Sequence, residues 1–189
     1  MSDAHLWLFG YGSLIWNPGF RYVRRHWATA DGWTRRFWQG SHDHRGWPEA
    51  PGRVVTLVPM RDDRCHGAAF LVDTHDQPDL LAQLDHREKN GYERQWLPLQ
   101  LEDGTQVEAL TWIAAEGNFA WAGPAEPLEL AQQIATSIGP SGRNDEYLFE
   151  LAASLRASSI HDAHIFDLER RVRALGNQPS RANGHHAGA

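Results

Sequence analysis

The chain has 189 residues, of which 41% are hydrophobic and 22% are charged. That length corresponds to about one domain of roughly 150 residues and is long enough to bury a sizeable core. The net charge of −6 argues against a nucleic-acid-binding protein, because phosphate binding needs a basic surface. The single cysteine, Cys65, excludes an internal disulfide framework and is typical of a protein in a reducing cytoplasm. No segment predicts a targeting signal or a membrane span.

The first two-thirds of the chain predicts mainly β-strands, because short apolar, β-branched or aromatic segments alternate there with turn residues. The Asp103-Gly104 pair indicates a tight hairpin between the last two predicted strands. The predicted strands cover residues 6–9, 34–39, 53–59, 65–72, 93–101 and 107–115.

Helices are predicted mostly later, over residues 77–88, 127–138, 143–156 and 162–175. The first has Asp76 as its expected N-cap and Pro78 in its first turn. Strands first, with helices interleaved and then trailing, favour an α+β fold with a mixed sheet or small barrel over a doubly wound parallel sheet.

The segment 5–175 contains no internal repeat and predicts a single domain. The polar, small-residue tail 176–189 predicts disorder. The segment 116–126 contains Gly117, Gly123 and Pro124, and predicts a mobile loop that is a candidate lid over a binding site.

A glycine-containing turn follows the first predicted strand, with the sequence Phe9-Gly10-Tyr11-Gly12-Ser13-Leu14. Glycine permits positive φ and a close approach of the backbone, so successive amides there are able to converge on an anion or an oxyanion. An ordinary tight turn explains the same pattern equally well. The turn has neither the ending of a phosphate-binding P-loop nor the GxSxG pattern of a nucleophile elbow, which makes Ser13 a weak nucleophile candidate.

Glu88 is the most informative single residue. It lies four residues after Leu84 and seven after Leu81, and therefore shares the apolar face of the predicted helix 77–88. Burial and the negative end of the helix dipole both favour a raised carboxyl pKa at this position. The residue is either half of a buried ion pair or a working acid/base.

The remaining polar clusters have simpler explanations. The eleven histidines match no metal-binding spacing, so we expect no metal site. Arginines and aromatic residues alternate over residues 21–38, which is typical of either a solvated basic edge or a single-strand nucleic-acid platform, and the net charge favours the first. One of Arg35 and Arg36 is a candidate for binding a substrate carboxylate.

Six blocks of sequence resemble the ChaC family of glutathione-specific γ-glutamylcyclotransferases, in one order and spacing over nearly the whole chain. The blocks are Trp7-Leu8-Phe9-Gly10-Tyr11-Gly12-Ser13-Leu14-Ile15-Trp16, Arg35-Arg36-Phe37-Trp38-Gln39-Gly40-Ser41, Asp43-His44-Arg45-Gly46, Pro51-Gly52-Arg53-Val54-Val55-Thr56-Leu57-Val58, Arg87-Glu88-Lys89-Asn90-Gly91-Tyr92, and Gly139-Pro140-Ser141-Gly142-Arg143-Asn144.

The resemblance implies the γ-glutamylcyclotransferase-like fold, a small mixed β-barrel flanked by helices. It also implies that Glu88 is the catalytic acid/base and that the turn Gly10–Ile15 binds the γ-glutamyl group, with Gly10, Tyr11, Gly12, Ser13, Leu14 and Ile15 as substrate-binding residues. The chain departs from the family at Asn90, where a glycine is common; we expect little consequence, because asparagine tolerates the left-handed region.

Three further residues are candidates for the pocket walls. Tyr147 begins the apolar face of the helix 143–156, four residues before Leu151. Arg36 and Arg143 are candidates for binding a substrate carboxylate.

The implied reaction is cleavage of glutathione to 5-oxoproline and Cys-Gly by attack of its own α-amine on the γ-carbonyl. Because the substrate supplies the nucleophile, we expect no cofactor, and we expect a cytoplasmic monomer with no membrane or nucleic-acid partner. Two alternatives stay open: a cyclotransferase acting on other γ-glutamyl amines or amino acids, and a non-enzymatic regulatory or binding module. Glu88 on a buried face favours an enzyme.

Overall fold

Five strands close into a β-barrel in the order β1-β3-β2-β4-β5 in the computed structural model, which describes residues 5–75 and 77–176. The elements, in chain order, are strand β1 (His5–Gly10), a 3₁₀ turn (Ser13–Ile15), β2 (Arg24–Ser41), β3 (Gly52–Asp73), helix α1 (Leu80–Arg87), β4 (Glu93–Leu101), β5 (Gln106–Ile113), α2 (Pro127–Thr136), β6 (Ile138–Gly139), β7 (Gly142–Arg143), α3 (Asn144–Ala157) and α4 (Ala163–Gly176).

The barrel is mixed because one of its strand pairs is parallel. Trp7 and Leu8 of β1 pair in parallel with Ala109 and Leu110 of β5, whereas β1–β3, β2–β3, β2–β4 and β4–β5 are antiparallel. The parallel pair closes the barrel by joining strands about a hundred residues apart. The prediction of an α+β fold with a small mixed barrel is confirmed.

Two strands are much longer than predicted. The separate strands expected at 53–59 and 65–72 are one continuous strand, β3, and the strand expected at 34–39 belongs to β2, which has 18 residues. The residues that join the two halves of β3, Met60 to Arg64, are exposed. An exposed stretch of strand has no apolar alternation, so the sequence pattern stops there although the strand continues.

Apolar side chains of the strands fill the barrel, and the three later helices pack together against it. Leu8, Phe37 and Phe70 have no exposed surface. The predicted apolar faces of the last two helices are buried, including Leu148, Leu151, Leu155, Ile165, Leu168 and Val172. Cys65 is also buried, and burial raises the pKa of its thiol to about 11.

Helix α1 begins at Leu80, three residues later than predicted. Gln77 stays outside the helix because its side chain bonds to the backbone of Arg21: its amide accepts from the Arg21 N–H at 3.1 Å and donates to the Arg21 carbonyl at 2.9 Å. Asp79 takes the N-cap position without a side-chain capping bond. The expected cap, Asp76, lies outside the described residues.

The C-terminal boundary differs from the prediction by one residue. Gly176, expected to begin a disordered tail, is the last residue of α4, and residues 177–189 lie outside the described part of the chain. Within the described residues, no helix is both long and apolar enough to cross a membrane.

Candidate active site

A cavity opens where β1 and β5 end, next to the glycine turn. We call it the inner compartment. Its walls include the turn residues 10–14, Val55 and Trp112, and four of its lining residues are titratable: Tyr11, Glu88, Tyr92 and Tyr147.

A larger cavity adjoins the first and is called here the outer compartment. The two compartments share four lining residues, Ser13, Glu88, Tyr92 and Tyr147. Glu88 therefore lies at the junction of the two spaces. The outer compartment adds polar and charged side chains to the site, namely Asp43, His44, Arg45, Arg87, Asn90 and Ser141.

Glu88 reaches this junction from the C-cap of α1. Its backbone N–H donates to the Leu84 carbonyl at 2.9 Å, and its φ and ψ of −96° and 15° end the helix there. Leu80 and Leu84 anchor the helix in the core, as the apolar pattern predicted. The carboxylate is directed toward the site because it follows the same face of the helix.

Burial raises the pKa of Glu88 to about 7, although its side chain keeps 20% of its surface exposed. The neighbouring Arg87 guanidinium lowers that pKa, and the charge of Asp43 raises it. The Glu88 Oε1 and the Arg87 Nε are 3.7 Å apart, too far for a hydrogen bond. A carboxyl group with a pKa near neutrality is able both to accept and to donate a proton.

Arg87 holds the turn next to Glu88. Its Nη1 donates to the carbonyls of Asn17 at 3.0 Å and Pro18 at 3.1 Å, and its Nη2 donates to the Ser13 Oγ at 2.8 Å. The guanidinium therefore links the end of α1 to the residues that follow the glycine turn.

The two glycines of the turn are required by space and not by backbone conformation. A Cβ on Gly10 would lie 2.5 Å from the Leu14 Cβ, and one on Gly12 would lie 2.8 Å from the Tyr147 hydroxyl oxygen. Neither glycine has a positive φ. The sequence was consistent with either a positive φ or a close approach of the backbone at these glycines. The structure shows that close approach is the reason.

Two residues at the start of the 3₁₀ turn line the inner compartment and leave their backbone amides unpaired within the described part of the chain. Within residues 5–75 and 77–176, the backbone N–H groups of Ser13 and Leu14 have no hydrogen-bond acceptor. The first N–H groups of a helical turn lack partners inside the turn, and they favour negative charge nearby. Both residues line the inner compartment.

Three tyrosines surround Glu88, and burial raises the pKa of each, so all three remain protonated at neutral pH. The Tyr11 hydroxyl donates to the Trp112 carbonyl at 2.6 Å, and the Tyr92 hydroxyl donates to the Val55 carbonyl at 2.7 Å. Tyr147 is held by edge-to-face contacts with Trp16 and Phe37. The three tyrosines therefore add no charge of their own to the walls around the carboxylate.

The match with known proteins extends over the region that builds this site. A family model described as ChaC-like protein matches residues 6–175. The chain belongs to the ChaC family.

The similarity to curated proteins also covers most of the chain. The chain is 42% identical over 155 residues to "Glutathione-specific gamma-glutamylcyclotransferase 1" of Danio rerio, covering 80% of this chain and 79% of that one. It is 38% identical over 151 residues to the Homo sapiens protein of the same name, covering 78% and 68%.

A solved structure agrees in fold as well as in sequence. The crystal structure of a yeast γ-glutamyl cyclotransferase specific to glutathione superposes with a TM-score of 0.85 at 29% identity, covering 91% of this chain and 97% of that one. The γ-glutamylcyclotransferase-like fold implied by the sequence resemblance is therefore confirmed.

Most of the predicted site residues of this ChaC-family chain come together in the structure. Gly10, Tyr11, Gly12, Ser13 and Leu14 line the inner compartment with Glu88 and Tyr147. Ile15 is the exception within the turn, because its side chain packs in the hydrophobic core.

The two arginines expected to meet a substrate carboxylate lie elsewhere. The Arg36 Nη1 donates to the Arg35 carbonyl at 2.8 Å, and both arginines line a separate cavity beside Asp162. Neither compartment of the site includes Arg36 among its lining residues. Arg143 is engaged by Asp145, with bonds of 2.9 and 2.7 Å.

The candidate lid, residues 116–126, is tied to β2. The Ala122 and Gly123 N–H groups both donate to the Trp38 carbonyl at 2.9 Å, and the Gly40 N–H donates to the Ala120 carbonyl at 2.8 Å. Among the described residues that line the two compartments, none belongs to this segment. The glycines and proline that predicted mobility instead shape a loop fixed along the strand.

Sequence reasoning missed the residues of the outer compartment. Asp43 and Arg45 belong to a block that resembles the ChaC family. The histidines beside them suggested only metal-binding or surface roles, so neither residue was predicted to line the site. Tyr92 follows Glu88 by four residues, just after the helix ends. That spacing was the one sequence feature that could have placed Tyr92 beside Glu88. One Asp43 oxygen, Oδ1, is buried and has no hydrogen-bond partner within the described residues.

The sequence predicted that asparagine at position 90, where glycine is common in the family, would have little effect, but its side chain makes a specific bond. It does not have a positive φ, and its side-chain amide donates to the buried Gly40 carbonyl at 2.7 Å. Its own carbonyl accepts from the Gln39 amide at 2.7 Å. Asn90 thus fastens the segment after Glu88 to β2 through a bond that glycine is unable to make.

Proposed function

We propose that this chain cleaves glutathione into 5-oxoproline and Cys-Gly, with Glu88 as the general acid and base. The observation that carries the proposal is the position of Glu88, with its pKa of about 7, at the junction of two compartments. The names of the relatives in the family support glutathione as the substrate.

The γ-glutamyl group occupies the inner compartment, folded so that its α-amine faces its own γ-carbonyl. Holding this conformer supplies a large part of the rate enhancement, because the attack is intramolecular and closes a five-membered ring. The neutral tyrosines and the close contact between Gly12 and Tyr147 give the compartment a fixed shape.

Proton transfer then proceeds through one side chain. Ionised Glu88 takes a proton from the α-ammonium, and the freed amine attacks the γ-carbonyl carbon. The oxyanion that forms is stabilised by the N–H groups of Ser13 and Leu14, an effect of roughly 3–4 kcal/mol per donor in comparable acyl chemistry. Protonated Glu88 gives its proton to the departing nitrogen as the C–N bond breaks and the carbonyl re-forms. The ring nitrogen then still holds one proton too many, which passes to Glu88 and on to the released amine, so that 5-oxoproline is a neutral lactam and Cys-Gly leaves as an ammonium.

The atoms balance without water or a cofactor, since the amine that attacks and the amine that leaves both come from glutathione. We also propose that residues 5–175 act as one domain, and that the protein works as a cytoplasmic monomer without nucleic-acid or membrane partners. The acidic net charge and the single buried cysteine support this.

The test is to incubate purified protein with reduced glutathione and a chelator, and to quantify 5-oxoproline and Cys-Gly. We expect equal amounts of both products, and a decrease in kcat of about 10²- to 10⁴-fold in Glu88→Gln. Turnover of other γ-glutamyl compounds without turnover of glutathione would select the sibling activity. The absence of any product, or full activity in Glu88→Gln, would contradict the proposal.

A further inference from the structure

The outer compartment has the position required for the Cys-Gly half of the substrate. Glu88 must reach the nitrogen that departs, and it lines both spaces. With the γ-glutamyl group in the inner compartment, the chain beyond the scissile bond extends past Glu88 into the outer one. Its terminal charged group is a carboxylate, which needs a cationic partner there.

Two arginines line the outer compartment, and one of them has its donors occupied. Both Nη atoms of Arg87 bond to the turn at Ser13, Asn17 and Pro18. Arg45 uses only its Nη1, which donates to the Arg143 carbonyl at 2.9 Å. Within the described residues, the Nε and Nη2 of Arg45 have no acceptor.

The free donors of Arg45 form one edge of a planar fork, the geometry that matches a carboxylate with two parallel hydrogen bonds. The nearest protein carboxylate is that of Glu146, whose oxygen lies 3.6 Å from Nη1 and whose side chain is 57% exposed. The ion pair of Glu146 is with Nη1 and not with the free edge, and the Glu146 side chain is largely solvated. It therefore leaves the Nε–Nη2 edge available.

The surroundings of Arg45 fix its position in advance. Its backbone N–H donates to the Ser41 Oγ at 2.9 Å, and its guanidinium carbon lies 5.8 Å from the centre of the Tyr147 ring. The next residue, Gly46, has the Gly52 nitrogen only 2.1 Å from where a Cβ would stand. The loop that carries Arg45 is therefore packed backbone against backbone, and only 17% of the Arg45 side chain is exposed.

We infer that Arg45 binds the C-terminal carboxylate of glutathione in the outer compartment, through its Nε and Nη2. The inference rests on the proposed function. It makes Arg45 a specificity-determining residue, since a γ-glutamyl compound without a carboxylate at that distance leaves the fork unpaired.

The experiment compares kcat/KM for glutathione and for its C-terminal glycinamide, in the wild type and in Arg45→Gln. We expect the wild type to favour the carboxylate by roughly 10- to 100-fold, the size of a charged hydrogen bond. Arg45→Gln loses this preference: its kcat/KM for glutathione falls, and its kcat/KM for the glycinamide stays within about twofold of wild type. Arg45→Lys, which has a compact ammonium in place of the planar fork, is expected to keep part of the preference.

The matched control is Arg64→Gln, which removes an exposed arginine outside both compartments and should leave both substrates unaffected. Equal wild-type rates on the two substrates would overturn the inference, as would an equal loss on both in Arg45→Gln. If Arg45→Gln does not fold, the wild type and Arg45→Lys decide the matter alone. Wild-type turnover of glutathione tests the proposed function separately, so the two failures are distinguishable.

Discussion

The Nε of Arg87 lies 3.7 Å from the Oε1 of Glu88, yet the pKa of Glu88 is raised to about 7. The adjacent cation lowers this pKa, but desolvation outweighs it, and the negative charge of Asp43 adds to the rise. The guanidinium donates its hydrogen bonds to the carbonyls of residues 17 and 18 and makes none to the carboxylate. Glu88 is thereby left free to exchange protons.

The activity should follow the ionisation of Glu88. We expect kcat/KM for glutathione to rise with pH through about 7 and then level off, because only the ionised carboxylate accepts the proton of the α-ammonium. A profile measured between about pH 5 and 9 tests this. A flat profile across neutrality would contradict the assignment of Glu88 as the base.

The same raised pKa predicts a pH-dependent stability. The folded state holds the Glu88 proton up to about pH 7, whereas an unfolded glutamate releases it near 4.5, so the stability of the wild type decreases as pH rises between those values. Glu88→Gln stays neutral. Its free energy of unfolding should exceed that of the wild type by about 3 kcal/mol at pH 8, and the difference should vanish near pH 4. Urea titrations at both pH values measure it.

Asp43 should tune Glu88 through its charge. Removing that charge in Asp43→Asn lowers the pKa of Glu88, so the acidic limb of the kcat/KM profile should move to lower pH. Asp31→Asn, which removes an aspartate with a 70% exposed side chain far from the site, serves as the control. An unchanged limb in Asp43→Asn would show that the charge of Asp43 does not reach Glu88.

Gly12→Ala tests the fit between the turn and helix α3. The added Cβ would lie 2.8 Å from the Tyr147 hydroxyl and 3.0 Å from the Val55 Cγ2, so the inner compartment must distort. We expect a loss of about 1–3 kcal/mol in stability and a marked fall in kcat/KM. Gly176→Ala, which meets nothing within 4 Å, should change neither. Wild-type activity in Gly12→Ala would contradict this account.

Asn90→Gly, which introduces the residue common in the family, should destabilise this chain. It leaves the buried Gly40 carbonyl without its 2.7 Å donor, at a cost of about 1–3 kcal/mol. Asn90→Asp also removes the donor and puts a carboxylate oxygen against that carbonyl, so it should lose at least as much. Thermal or urea unfolding measures both, and a glycine variant as stable as the wild type would show that the bond contributes nothing.

The local pattern of the sequence determined the fold class, the glycine turn and the burial of Glu88. The apolar spacing of Leu81 and Leu84 was enough to place Glu88 on a buried face, because helical periodicity is a local property. The glycines at positions 10 and 12 marked a turn that needs close backbone approach. Local composition likewise separated the strand-rich region from the trailing helices, and the α+β class followed.

Only the tertiary structure decided which distant residues share the site. The parallel pairing of β1 with β5 closes the barrel across about a hundred residues, and no local pattern encodes it. Arg36 and Arg143 fit a carboxylate-binding role by residue type, but the first lies in a separate cavity and Asp145 engages the second. Arg45 lies in the outer compartment because Gly46 lets its loop pack against Gly52. A side chain's type is local, whereas its neighbours depend on how the whole chain folds.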